Sequence, residues 1–222
     1  MINKRGAICL TFILILLLTL NSCIGVSLSI LMNKDGSGKL TMEYRISKML
    51  NNLGSLDGNE SKPTIPLGKE DWERTINRIP GAKLASYSDV EDKQDSIIKV
   101  AVDYKDDHSL LLLLDSFGEK ASINRQGQSG KLDIVLLKDN INDSSYDEDL
   151  LDLMRIFMDG YNLSISLNAP VNSTLVVTDG SGNVIPAQSS AKTVLSGKLV
   201  SYSIGIMDLL DIKGGLGLRF NW

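Results

Sequence analysis

The chain has 222 residues, with 23 basic against 27 acidic side chains, one histidine and two cysteines. A net charge of −4 offers no basic stripe for phosphates, which argues against nucleic acid as a partner. A single histidine and two cysteines exclude a site with zinc-ligand spacing.

Lys4 and Arg5 are the only charges before Lys34. Between Ala7 and Leu20 run fourteen residues without a charge, a Gly or a Pro. That length suits a signal-peptide core and falls short of the ~20 residues that span a bilayer. Leu20, Asn21, Ser22 and Cys23 follow, and together they resemble the lipobox of bacterial lipoproteins, with Asn21 departing from the small residue usual at its place. The resemblance implies a signal peptide over 1–22, cleavage between Ser22 and Cys23, and acylation of Cys23. The competing reading is an uncleaved anchor, because residues 6–33 carry no charge. Alternation over residues 26–33 favours ending the apolar helix early.

Cleavage before Cys23 leaves 200 residues, enough for one sizeable domain or two small ones, with roughly 70% of the unfolded surface buried on folding. Removing Lys4 and Arg5 from the 23 basic side chains leaves 21 against 27 acidic, a net charge of −6. Cys9 departs with the signal peptide and Cys23 carries lipid, so no cysteine remains for a disulfide and packing alone must stabilise the domain.

The domain opens on a strand pair. Val26, Leu28, Ile30 and Met32 alternate with polar neighbours, as do Leu40, Met42, Tyr44 and Ile46. Both apolar sets are even-numbered, so a shared face needs paired positions with an even sum. A sum of 72 sets Met32 opposite Leu40, Ile30 opposite Met42 and Leu28 opposite Tyr44. It implies an odd-length loop with Gly36 or Gly38 at positive φ, whereas a two-residue Asp35-Gly36 loop would mix the faces. The loop from Asn33 also imitates an EF-hand, but Tyr44 stands where the bidentate Glu belongs and strands flank it. DGSG recurs at Asp179–Gly182. Two glycine-rich hairpin turns account for both copies, with calcium binding the alternative.

Met49, Leu50, Leu53 and Leu56 fit one face of a helix from Ser47 to Leu56, and residues 54–68 read as irregular. A second helix starts near Lys69, carries Trp72, Ile76 and Ile79, and stops at Pro80-Gly81. Trp72 reads as a core anchor before a stacking platform for a ligand. Strands follow over 83–90 and 96–104, joined by a charged, solvated turn at residues 91–95. Asp106 or Asp107 caps a helix with Leu110, Leu111, Leu114 and Phe117, and His108 in its first turn reads as a surface or capping residue. A weaker strand over 121–125 leads into a strong one carrying Leu132, Ile134 and Leu136. Ser145 to Glu148 is a capping box for a helix with Leu150, Leu151, Met154, Phe157 and Met158, ended by Gly160.

From Tyr161 the chain is expected to be almost wholly β. Strands carry Leu163, Ile165 and Leu167; then 173–178; then Val200, Tyr202, Ile204 and Ile206; and finally Leu216, Leu218, Phe220 and Trp222. Hairpins dominate, and no strand-helix-strand unit carries a phosphate loop. The expected fold is α+β: a single domain over 23–222 with an antiparallel, hairpin-rich, curved sheet and three to four helices on one face. Such a sheet can leave an apolar hollow beneath its helices.

Cys23, a strand, DGSG, a second strand, and the late NLSISLNAP segment with a closing aromatic strand resemble LppM-type bacterial lipoprotein domains. The resemblance implies a membrane-tethered, non-enzymatic α+β domain associated with amphipathic or lipid ligands, with no cofactor and no ligand residue to carry over. The expected address is the bacterial cell envelope, held to a membrane by acylated Cys23. A structural or partner-binding lipoprotein with a solid core is the alternative. An exported enzyme is the third reading, motivated by the Ser-x-x-Lys spacing of Ser189 and Lys192, although Pro186 and strands surround it.

Overall fold

A computed structural model of the protein describes residues 25–47, 68–92, 95–116, 120–138 and 160–222. The expected signal peptide, Ser22 and Cys23 lie outside them, as do the capping-box helix from Ser145 and the body of the helix expected after Ser47.

Period-two stretches become strands where they were expected. In chain order the elements are β1 (Val26–Met32), β2 (Gly38–Ser47), α1 (Lys69–Ile76), β3 (Ala82–Glu91), β4 (Asp95–Tyr104), α2 (Asp107–Ser116), β5 (Lys120–Gln126) and β6 (Ser129–Leu137). Then come β7 (Asn162–Asn168), β8 (Thr174–Thr178), β9 (Lys192–Ser196), β10 (Leu199–Gly205), α3 (Ile206–Leu210) and β11 (Leu216–Asn221). The turn between β5 and β6 is Gly127-Gln128 with Gly127 at φ 65°, and that between β9 and β10 is Gly197-Lys198 with Gly197 at φ 59°. Glycine at the first central position is what a two-residue turn of the II′ kind needs.

The single sheet expected from the sequence is two sheets. One has seven strands in the order β3-β4-β2-β1-β7-β10-β9, the other four in the order β5-β6-β11-β8. Pairing is antiparallel except between β1 and β7, which run parallel with Val26 beside Leu163 and Ile30 beside Leu167. The chain passes repeatedly between the sheets: β7 returns to the large one, β8 joins the small one, β9 and β10 return, and β11 closes the small one. Among the described residues three short helices flank the sheets. α1 packs on β3, α2 packs on β5 and also meets β3 and β4, and α3 continues directly from the end of β10.

The β1–β2 register keeps the expected parity but is tighter by two residues. Met32 faces Gly38, Ile30 faces Leu40, Leu28 faces Met42 and Val26 faces Tyr44. Two features tighten it. The Asn33 N–H donates to the Ser37 carbonyl at 2.7 Å, and Gly36 turns the corner at φ 90°. Gly38 also sits beside Tyr104 on β4, whose hydroxyl donates to the Leu31 carbonyl at 2.8 Å. A side chain at position 38 would collide with that hydroxyl and carbonyl, so the pair of strands takes the register that puts glycine there.

Inward side chains of both sheets join one core, including Ile30, Leu40, Val100, Ile165, Leu167, Val200 and Tyr202 from the large sheet and Leu132, Ile134, Leu218 and Phe220 from the small one. Trp72 and Ile76 of α1 and Leu110, Leu113 and Leu114 of α2 fill the space above them. Trp72 is fully buried and its Nε1–H donates to the Tyr44 hydroxyl at 3.3 Å, which accounts for it as a core anchor. The rings lie 6.5 Å apart at 33°.

Candidate functional site

The first described residue, Gly25, is already part of the large sheet. Its N–H donates to the Asn162 carbonyl at 2.9 Å, and its own carbonyl accepts the Arg45 N–H at 2.9 Å. Tyr161 and Ile206 pack on it so closely that a Cβ at position 25 would lie 2.6 Å from Ile206 Cδ1 and 3.0 Å from Tyr161 Cβ. Gly25, two residues after Cys23 in the sequence, is therefore clamped.

Charged side chains surround this end of the sheet. Arg45 Nη1 lies 3.8 Å from Asp92 and 3.9 Å from Asp95, and its Nε lies 3.5 Å from Glu43, which in turn meets Lys99 at 2.9 Å. The Tyr161 hydroxyl donates to Asp95 at 2.6 Å. Asp95 was expected in a solvated turn; it is instead a buried strand residue facing Ser47. The reason is the charge it meets, since a carboxylate can leave water when a cation and a hydroxyl donor replace the solvent. Chemically this cluster pairs charges and holds the first strand in place.

The two DGSG loops spend their carboxylates on their own backbone. Asp35 Oδ1 accepts the Ser37 N–H at 3.0 Å and the Ser37 hydroxyl at 2.7 Å. Asp179 Oδ1 accepts from the N–H of Ser181 and of Asn183, and its Oδ2 from the Asn183 amide. These hydrogen bonds hold both carboxyls below the usual aspartate range, led by Ser37 for Asp35 and Asn183 for Asp179. Both are turns of the aspartate-closed kind.

Asp106 caps α2, accepting the N–H and the hydroxyl of Ser109 at 2.8 and 2.6 Å. His108 is exposed in the first turn. Ser189 falls in a turn and Lys192 opens β9, both exposed, so the Ser-x-x-Lys spacing is not carried on a helix. Ser189 lines an open depression of about 420 Å³ with Gln188, Asp208, Asp211 and Lys213.

One cluster had no part in the expectations. Arg125 of β5 grips Asp107 of α2, and its guanidinium lies 5.4 Å from the centre of the Trp222 ring. Gly130 lies between them in the sheet, and a Cβ there would come within 2.5 Å of the indole. Among the described residues, Arg125 Nη1 and Trp222 Nε1 are buried without a hydrogen-bond partner. Gly36 of the first DGSG loop approaches the same carboxylate. The available signal was parity: Ala121, Ile123 and Arg125 share the inward face of β5, which demands a buried partner for the arginine.

No family model matches the chain, and no curated protein matches it. Among solved structures, the chain is similar to the folded domain of the Mycobacterium tuberculosis LppM protein, determined by NMR. The two share 12% identity and a TM-score of 0.42, over 88% of this chain and 86% of that one.

Proposed function

We propose that the protein is a bacterial envelope lipoprotein, acylated on Cys23, whose domain acts by binding and not by catalysis. The observation that carries this reading is the clamped Gly25, bonded into the large sheet two residues beyond the lipobox cysteine. A fold that starts there is suited to sit against the bilayer, with no flexible stalk to cross. One acyl chain binds a membrane only marginally, so lasting attachment takes the two or three that a lipoprotein cysteine carries.

The core favours a surface as the working part. Trp72, Tyr202, Leu110, Leu113 and Leu114 fill the interior between sheets and helices, each almost fully buried. That supports a partner-binding or structural lipoprotein over one that encloses an amphipathic lipid. The test is to purify the protein from its own membranes and extract it with organic solvent. Substoichiometric lipid beyond the Cys23 acyl groups supports surface binding, and one lipid per chain would restore the enclosed-ligand reading. Protein purified from membranes with Cys23 free of acyl groups would sink the tether.

A further inference from the structure

The large sheet ends on β9, and this edge is unlike the others. At the opposite end, β3 carries Lys83, Asp89 and Glu91 and a bulge between Leu84 and Ser86, features that keep a strand edge from pairing. In the small sheet β5 carries Lys120 and Arg125, and β8 is flanked by a bridge from Thr178 to Val184 and by the Ile185 N–H bonded to Val177. β9 reads Lys192-Thr193-Val194-Leu195-Ser196, with its one charge at the first position and every one of these residues exposed. Val194 is 52% and Leu195 60% exposed, and Leu199 beside them is 41% exposed.

The free backbone groups on β9 follow from its hairpin. A two-residue turn closes on a hydrogen-bonded pair, here Ser196 with Leu199, and bonded pairs alternate from there. Val194 and Lys192 therefore bond to β10, while the N–H and C=O of Thr193 and Leu195 point away from the sheet. Leu195 continues the inward face, in the row of Ile30, Leu167 and Val200, and Val194 continues the outward face, in the row of Ser29, Ser166 and Ser201.

We propose that β9 pairs with β9 of a second copy of this chain, antiparallel about a twofold axis at Val194. In that register Thr193 faces Leu195 of the second copy, and Leu195 faces its Thr193. Every outward N–H and C=O of the two residues then meets a partner. Val194 meets Val194 across the axis, and Lys192 meets Ser196. Shifting the centre to Thr193 or Leu195 leaves half of the outward groups unpaired, and centring on Leu195 also sets Lys192 opposite Lys198. Charge and hydrogen bonding thus select the same register. The twofold closes the assembly, because pairing consumes both unprotected edges and β3 resists further addition.

The test uses disulfide trapping in the full chain, in its own membranes or in detergent, with the parent chain setting the background from Cys9 and Cys23. Val194→Cys places two thiols in a non-hydrogen-bonded pair, the closer of the two kinds. The control is Val90→Cys, equally exposed at 53% on the protected edge β3. Mild oxidation should give a disulfide-linked dimer at Val194→Cys on the order of tenfold faster than at Val90→Cys, as an effective concentration in a preformed pair demands. Adding Thr193→Pro, which removes an outward donor at an exposed position, should return the rate to the control value. Equal rates at the two sites, insensitivity to Thr193→Pro, or linkage of Val194→Cys to a different protein would overturn the proposal.

Discussion

Arg125 and Asp107 form a two-pronged ion pair, Nε to Oδ2 at 2.6 Å and Nη2 to Oδ1 at 2.7 Å, that ties the start of α2 to β5. Their side chains are 14% and 25% exposed, so water screens the pair only in part. Tyr104, Gly36 and Trp222 all approach it, which places the pair where the first hairpin, α2 and the C-terminal strand converge.

Asp107→Ala should therefore destabilise the domain by about 2 kcal/mol, the usual cost of stranding a charged hydrogen-bonding group. Asp107→Leu combined with Arg125→Met should cost less than Asp107→Ala alone, since no buried charge is left behind. Urea unfolding of the three proteins measures this. A double variant less stable than Asp107→Ala would mean that no stranded charge is responsible for the loss.

The two glycines of the first DGSG loop should fail differently. Gly36 lies at φ 90° with its nearest neighbour at 3.4 Å, so Gly36→Ala meets backbone strain of about 1 kcal/mol. Gly38 has no positive φ, but a Cβ there would collide with the Leu31 carbonyl and the Tyr104 hydroxyl. Gly38→Ala must break that hydrogen bond and push the strands apart. Its unfolding midpoint should fall well below that of Gly36→Ala, and a reversed order would contradict the register described above.

Alkaline pH should unfold the domain through its tyrosines. Burial pushes the Tyr44 and Tyr202 phenols up to about 12, and raises Tyr104 too, with the Asp107 charge adding to it. In the unfolded chain a phenol ionises near 10, so the unfolded state loses its protons first. Stability is then fully present below about pH 10 and is lost as pH rises toward about 12. Tyr202→Phe should flatten that decline when urea midpoints are followed across the window. An unchanged slope would mean that Tyr202 ionises as it does in water.

Alternation was legible because side-chain parity along a strand does not depend on what the strand pairs with. Spacing alone places Ile30, Leu132, Tyr202 and Phe220 inward, and all four are buried. The partition into two sheets was not legible. Nothing local to Leu28 or Ile165 says that they lie side by side in a parallel pair. β9 escaped because its residues are exposed on both faces, leaving no burial pattern to read. α3 escaped because Ile206 prolongs the even-numbered apolar series of β10, although its N–H already bonds to Tyr161. In the sequence Arg125 is one charge in a weak strand, because its partners Asp107 and Trp222 belong to other elements.

The proposed lipid anchor at Cys23 lies two residues ahead of Gly25, where the large sheet begins. Mass spectrometry of the protein isolated from its native membrane tests it most directly. The expected result is an N-terminal peptide that starts at Cys23 and carries a diacylglyceryl group, with or without a further acyl chain. A peptide that retains Met1 through Ser22 and holds Cys23 as a free thiol would contradict it.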